Sequence, residues 1–173
     1  MKAPPPVIGA EWTNYLGEQT FLPARTFSPA SEDEVAAIVA SRAQRGARVH
    51  FAGAGHASSA LVECDGDLIR SERLTGVTRI SRDELAPGIQ GDFVRALAGT
   101  RIADLNDALA AMGLAMRNLG SAAFQSIAGA IATGAHGSGA TLGALAALVR
   151  SVDLVDGAGR RVRVEPAVGF TRT

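Results

Sequence analysis

Two of the three histidines in this chain stand inside glycine-rich segments, a setting that suits contact with a phosphate-bearing ligand. The first segment is Gly53-Ala54-Gly55-His56, which follows the apolar run Val49-His50-Phe51-Ala52. The second is Ser126-Ile127-Ala128-Gly129-Ala130-Ile131-Ala132-Thr133-Gly134-Ala135-His136-Gly137-Ser138-Gly139. Glycine lacks a Cβ, so clustered glycines let the backbone turn tightly and press its N–H groups against a ligand. Two such loops in one chain point to a large phosphate-bearing ligand held from both sides. On spacing alone, His56 remains open between a loop-positioned functional group and a structural one. The second run is also compatible with a small-residue helix packed against the core. His50 alternates with Val49 and Phe51, so it belongs to one side of a strand and is not a site candidate.

Familiar phosphate and metal motifs fit poorly. A dinucleotide fingerprint needs G-x-G-x-x-G between strand and helix, and Ser58 stands where the third glycine should be. The Gly-Lys-Ser/Thr of a P-loop does not occur. The histidines lack the close Cys, Asp or Glu pairings of zinc sites. The single cysteine, Cys64, excludes an intramolecular disulfide and reads as a small buried or half-exposed residue.

The positioning elements follow from local signals. Ser31 caps a helix, with Glu34 at the capping-box position and Val35, Ile38 and Val39 on one face; that helix ends near Arg45-Gly46. Val49 and Phe51 mark a strand running into the first glycine loop, and Trp12 to Leu16 reads as a short strand or anchored loop. Asp65-Gly66-Asp67 turns the chain before Leu68-Ile69, and Thr75-Gly76 precedes a strand at residues 77–80. Residues 93–98 alternate like a strand closed by Gly99-Thr100. Residues 102–112 form a helix with Ile102, Leu105, Ala108, Leu109 and Met112 inward and Gly113 after its end. The spacing predicts a helix over 141–149, then a hairpin of residues 152–155 and 161–164 around Asp156-Gly157-Ala158-Gly159.

Composition bounds the rest. At 173 residues and 47% hydrophobic content the chain suits a globular domain burying roughly 70% of its unfolded surface. Seventeen basic and seventeen acidic residues cancel, so no footprint for nucleic acid is visible. Met1-Lys2-Ala3-Pro4-Pro5-Pro6 has no apolar core like that of a signal peptide, which makes a cytoplasmic location the default expectation. Residues 118–149 carry no charge, and Gly139 and Gly143 have the spacing of a membrane-helix contact. Gly, Ser, Thr, Gln and a central histidine weaken insertion there, so membrane association is not expected.

Together the two loops resemble a known pattern. Gly53-Ala54-Gly55-His56 resembles the G-x-G-H-S loop of flavoprotein oxidases related to vanillyl-alcohol oxidase, and residues 125–139 resemble the same family's second flavin loop. Trp12-Thr13-Asn14, Pro29 with Ser31-Glu32-Asp33-Glu34-Val35, and Ala98-Gly99-Thr100 support the match. The resemblance runs from about Trp12 to Val164 and is nearest to the sugar-lactone and alditol oxidases, which include gulonolactone, arabinonolactone and xylitol oxidases.

The resemblance implies an α+β fold. The implied fold is a two-lobed, PCMH-type FAD-binding domain, with two small mixed sheets flanked by helices and FAD between the lobes. It places an N-terminal segment at 1–22, a first lobe at 23–85, a second at 86–165 and a tail at 166–173. It implies FAD as cofactor, with Phe51, Ala52, Gly53, Ala54, Gly55 and His56 in the first loop and His56 as its covalent attachment point. From the second loop it implies Ser121, Ser126, Gly129, Thr133, Gly134, Ala135 and His136 as FAD contacts. Ala57 departs from the family's serine, which removes one hydrogen bond near the cofactor. The implied chemistry is oxidation of a hydroxyl-bearing carbon of a sugar lactone or polyol, with oxygen as acceptor. Family members carry a further cap-like substrate domain, and residues 166–173 do not lead into one. The expectation is therefore a fragment or truncated product, with no identified general base. The alternative is a non-catalytic FAD-binding module that needs a partner chain for the substrate domain.

Overall fold

The computed structural model describes residues 2–167 and 169–171. Its first half is organised by one parallel sheet. A short ribbon pairs β1 (Trp12–Thr13) with β2 (Thr20–Phe21), antiparallel. The chain continues through β3 (Arg25–Phe27), α1 (Glu32–Ala43), β4 (Val49–Ala52) and β5 (Asp67–Arg70). The last strand enters between the other two, giving the order β3-β5-β4 with all strands parallel. A central strand of a parallel sheet is covered on both faces. Leu68 and Ile69 alternate accordingly. Ile69 packs with Phe27, Val35, Ile38, Val39 and Leu74 beneath α1. Leu68 packs on the other face with Trp12, Ala52 and Cys64. Burial pushes the Cys64 thiol up from its ordinary pKa.

Helix α1 starts where its sequence says it should. The Ser31 hydroxyl accepts from the Glu34 N–H at 3.2 Å, and the Glu34 carboxylate accepts from the Ala30 N–H at 2.7 Å. Glu32, Asp33 and Glu34 set negative charge against the positive end of the helix dipole. Gly46, at φ +62, turns the chain away beyond the last turn.

The second half begins with β6 (Val77–Arg79) and β7 (Val94–Ala96), an antiparallel pair. Residues 80–93 join these two paired strands. Helices α2 (Ile102–Ala111) and α3 (Ile127–Ala132) follow, then the hairpin of β8 (Val152–Val155) and β9 (Arg161–Val164). Ile102, Leu105, Leu109, Ile127, Ala130 and Leu145 form the core of this half.

The α+β class holds, but the strands form one parallel sheet and three antiparallel ribbons among the described residues, not two mixed sheets. Residues 141–149 differ from the expected helix, since only Leu145–Leu148 coils, as a 3-10 turn. Tertiary hydrogen bonds claim the groups a longer helix would use. The Leu145 N–H donates to the Ala135 carbonyl at 2.9 Å, and the Asn118 amide donates to the Gly143 carbonyl at 2.7 Å. No described helix is long and apolar enough to cross a membrane. Of the expected tail, Val168, Arg172 and Thr173 lie outside the described residues.

One buried charge ties the parallel sheet to its helix. Asp67 opens β5 with its side chain 2% exposed, and accepts two bonds from Arg25 on β3, at 2.8 and 2.6 Å. Arg45, just beyond α1, adds a third at 3.0 Å. A buried carboxylate stripped of its partners is costly, whereas the pair itself adds little over an apolar replacement. Replacing Arg25 and Arg45 together by Met should therefore lower stability by about 3–5 kcal/mol in urea unfolding, and each single replacement by clearly less. Additive, small losses would show that Asp67 reaches water.

Candidate functional site

The site forms at one edge of the parallel sheet because neighbouring parallel strands release their following loops on the same side. Ala52 at the end of β4 is in register with Arg70 at the end of β5. The first glycine loop and the Ser71-Glu72 segment therefore leave the sheet side by side, at the carboxyl edge where ligands of open parallel sheets gather. The Ser71 N–H donates to the Ala52 carbonyl at 3.1 Å, which pins the two segments together.

The second half closes this edge by backbone contact. A Cβ on Gly99 would overlap the Ser71 carbonyl oxygen, so only glycine fits there. Thr100 binds the Gly76 backbone through its hydroxyl, and its carbonyl accepts from the Ile127 N–H at 2.8 Å. That bond delivers the start of α3 to the first loop. A Cβ on Gly53 would overlap the Ser126 hydroxyl, and one on Gly129 would come within 2.9 Å of the same oxygen. The two glycine segments, more than 70 residues apart in sequence, thus meet around Ser126, which is 2% exposed.

Between them lies a polar cavity of about 100 Å³ lined by Gly53, Ala54, Gly55, Arg70, Arg101 and Ser126, among others. Drug-sized ligands occupy roughly 300–1,000 Å³, so this cavity suits one charged segment of a long ligand. Arg70 and Arg101 bring positive charge to it, and Glu72 answers Arg70 at 3.1 Å. A glycine cradle with two guanidinium groups is a chemically sound seat for phosphate.

The N-terminal ribbon braces the first loop. Asn14, buried, accepts from the Glu18 and Gln19 N–H groups and donates to the Ala57 carbonyl at 3.2 Å. The Tyr15 N–H donates to the Gly55 carbonyl at 2.8 Å. Gly55 has φ +75, a conformation a side chain would strain, and a Cβ there would press on the Trp12 ring at 3.2 Å.

His56 follows, its ring beside those of Tyr15 and Phe124. Its Nε2 is buried and has no hydrogen-bond partner among the described residues. Burial pushes the imidazole below the ordinary histidine pKa, and the Arg101 guanidinium acts in the same direction. At neutral pH the ring is uncharged, with a lone pair on one nitrogen.

The remaining expected residues are spread more widely. Phe51 is 42% exposed at the end of β4, and Ala52 is fully buried against Trp12 and Leu68. Ser121 is exposed in the approach to α3. Thr133, after the last turn of α3, donates its hydroxyl to the Gly129 carbonyl at 2.9 Å. Gly134 has φ +71, and Ala135 packs on the second core. His136 is exposed, its Nδ1 2.9 Å from the Gly137 carbonyl oxygen. None of these seven lines the cavity. Sequence reasoning missed Arg70, Glu72 and Arg101 as cavity residues, and Tyr15 and Phe124 as neighbours of His56. Arg101 follows Gly99-Thr100 directly and could have been found there; Arg70 and Glu72 carry no local signal.

Comparison with known proteins agrees with this geometry. Residues 23–165 match the family described as FAD binding domain. The chain is 36% identical over 151 residues to the D-arabinono-1,4-lactone oxidase of Eremothecium gossypii, covering 86% of this chain and 27% of that protein. It is 38% identical over 154 residues to the alditol oxidase of a Streptomyces species, covering 89% of this chain and 35% of that protein. In fold it is similar to cholesterol oxidase from B. sterolicum, with a TM-score of 0.74 at 21% identity over 92% of this chain and 32% of that one. The chain therefore spans about a third or less of these relatives. With its two loops closed on one glycine cradle and its match over residues 23–165, the chain belongs to the family of FAD-binding domains found in flavoprotein oxidoreductases, similar to sugar-lactone and alditol oxidases.

Proposed function

We propose that this chain is the cofactor-holding part of an FAD-dependent oxidase whose substrates are sugar lactones or polyols and whose electron acceptor is oxygen. The observation that carries the reading is the polar cavity at which Gly53, Ala54 and Gly55 meet Ser126, Arg70 and Arg101, held closed by the contact of Gly53 and Gly129 with the Ser126 hydroxyl. When bound, the flavin supplies the redox chemistry, accepting a hydride from a hydroxyl-bearing carbon. The protein's part is to bind, orient and shield. Gly53, Ala54 and Gly55 offer backbone N–H groups to the diphosphate, with Arg70 and Arg101 offsetting its charge. Ser126, Gly129 and the turn from Thr133 to His136 form the second wall, with Ser121 at its entrance. His56 serves as the covalent anchor at the 8α carbon of the flavin ring, a role favoured by its uncharged, partnerless imidazole. Phe51 and Ala52 hold the loop's root against the sheet. Residues 23–85 and 86–165 act as the two lobes on either side of the cofactor.

A second reading follows from coverage, since the relatives are about three times as long. In it this chain binds FAD without turnover and a partner chain supplies the substrate-binding part. Peroxide production by the 173-residue chain with L-gulono-, L-galactono- or arabinono-lactone, or with xylitol, would exclude that reading. No peroxide from any of them would favour it.

The binding claim yields sharper expectations. Purified chain should be yellow, and acid precipitation should carry flavin down with the protein. His56→Ala should bind FAD but release it into the acid supernatant; flavin that still precipitates with this variant removes His56 from the role. Gly53→Ala, which sets a methyl group on the Ser126 hydroxyl, should weaken FAD binding about tenfold, equivalent to about 1.4 kcal/mol. Adding Ser126→Ala should restore much of that loss in a fluorescence titration. Full affinity in Gly53→Ala alone would show that the cradle has room to spare.

A further inference from the structure

Two exposed aromatic side chains stand around His56 with no role assigned so far. Tyr15 is 59% exposed and Phe124 49%. Large aromatic rings left in water call for an explanation when they cluster. These two do so with His56 between their segments. The Tyr15 and His56 ring centroids are 4.1 Å apart, those of His56 and Phe124 4.9 Å, and those of Tyr15 and Phe124 5.2 Å. The three rings come from three separate parts of the chain: the turn between β1 and β2, the first glycine loop, and the approach to α3.

Each of the two aromatic residues is also held through its backbone. The Tyr15 N–H is bonded to the Gly55 carbonyl, one residue before His56. The Arg101 guanidinium donates to the Phe124 carbonyl at 2.5 Å, and the same residue lines the cavity. Arg101 itself adjoins the bridge between residues 101 and 126 that joins the two halves. A histidine on a glycine loop would otherwise be free to turn about both side-chain torsions. Here a ring on either hand restricts that freedom, and Nε2 is shielded from water.

We propose that Tyr15 and Phe124 are positioning residues that clamp the His56 imidazole in one orientation, with Arg101 as the tether of the clamp. The proposal rests on the reading of His56 as the flavin anchor and adds to it how the ring is aimed. Attachment would form an N–C bond at the 8α carbon as one of its C–H bonds and the imidazole N–H bond break, the two protons and two electrons passing overall to oxygen as peroxide. A nucleophilic nitrogen must meet its target along one line, and an error of about 1 Å can slow a reaction about a hundredfold. The Tyr15 phenol and the Arg101 guanidinium are the ionisable groups that face the ring. Neither group competes for the imidazole lone pair as a hydrogen-bond donor in this arrangement.

The test separates the clamp from the anchor. In the 173-residue chain without flavin, the His56 C–H signals are followed through a pH titration by NMR, assigned by their loss in His56→Gln. Phe124→Ala and Tyr15→Ala should each raise the midpoint by about half a pH unit or more, because water then reaches the ring and favours the imidazolium. Phe124→Tyr and Tyr15→Phe should keep it low. Unmoved signals from His50 and His136 report an intact fold. In the same variants incubated with FAD, the rate of acid-stable flavin attachment should fall at least tenfold with Ala and recover with the aromatic replacements. An unmoved midpoint overturns the clamp. So does an unchanged attachment rate beside a moved midpoint, since the rings would then shield without aiming. If the unsubstituted chain attaches no flavin, the anchor reading fails, and the titration alone still decides whether the rings hold His56.

Discussion

Close packing that only glycine permits is the constraint from which the rest of this structure follows. Gly99 rests on the Ser71 carbonyl, and Gly53 rests on Ser126 beside Gly129; a methyl group at Gly99 or Gly53 would overlap its neighbour. These contacts join a parallel sheet, whose core is built on Ile69 and Leu68, to a helical half whose core is built on Leu105 and Ile127. The two cores share no buried residue. At the cavity they are joined by a seam of main-chain hydrogen bonds, from Ser71 and Leu74 through Gly99 and Thr100 to Ile127, and Leu97, Ala98 and Val155 of the second half pack on the first core. The seam fixes the spacing of the two glycine loops, and that spacing fixes the cavity.

The electrostatics of the site divide along the same seam. Arg70, from the sheet half, and Arg101, from the helical half, both face the cavity and suit an anionic group. His56 sits a few ångströms along the loop in a different environment, walled by aromatic rings and uncharged at neutral pH. One loop thus presents an anion seat at Gly53, Ala54 and Gly55 and a neutral nitrogen at His56. FAD has the matching order, a charged diphosphate joined to a flat apolar ring. The redox chemistry belongs to the flavin, and the protein's contribution is spacing, charge and orientation.

Much of this was legible in the residues because the signals are local. Ser31 and Glu34 announce α1, Gly113 ends α2, and Asp156-Gly157 turns the final hairpin, each through chemistry contained within a few positions. Both glycine loops are visible for the same reason, and their combination identifies the family. What escaped was set by distant partners. Strands β2 and β3 are two and three residues long and exist through pairing with β1 and β5, so no periodicity marks them. The segment 141–149 has helical composition, yet Ala135 and Asn118 draw its backbone elsewhere. Arg70 and Glu72 reach the cavity through the parallel register of β5 with β4, and Phe124 meets Tyr15 through Arg101. Register and seam are tertiary facts that no window of sequence contains.

The central claim is that the glycine cradle recognises the diphosphate of FAD. Its most direct test is an equilibrium titration of the 173-residue His56→Ala chain, in which no covalent bond can form, with FAD and with riboflavin. The two ligands share the flavin ring, and only FAD carries the diphosphate and adenosine. The account predicts saturable binding of FAD at least tenfold tighter than riboflavin, with the advantage shrinking as salt is raised. Equal affinities, or a preference for FAD indifferent to salt, would contradict it.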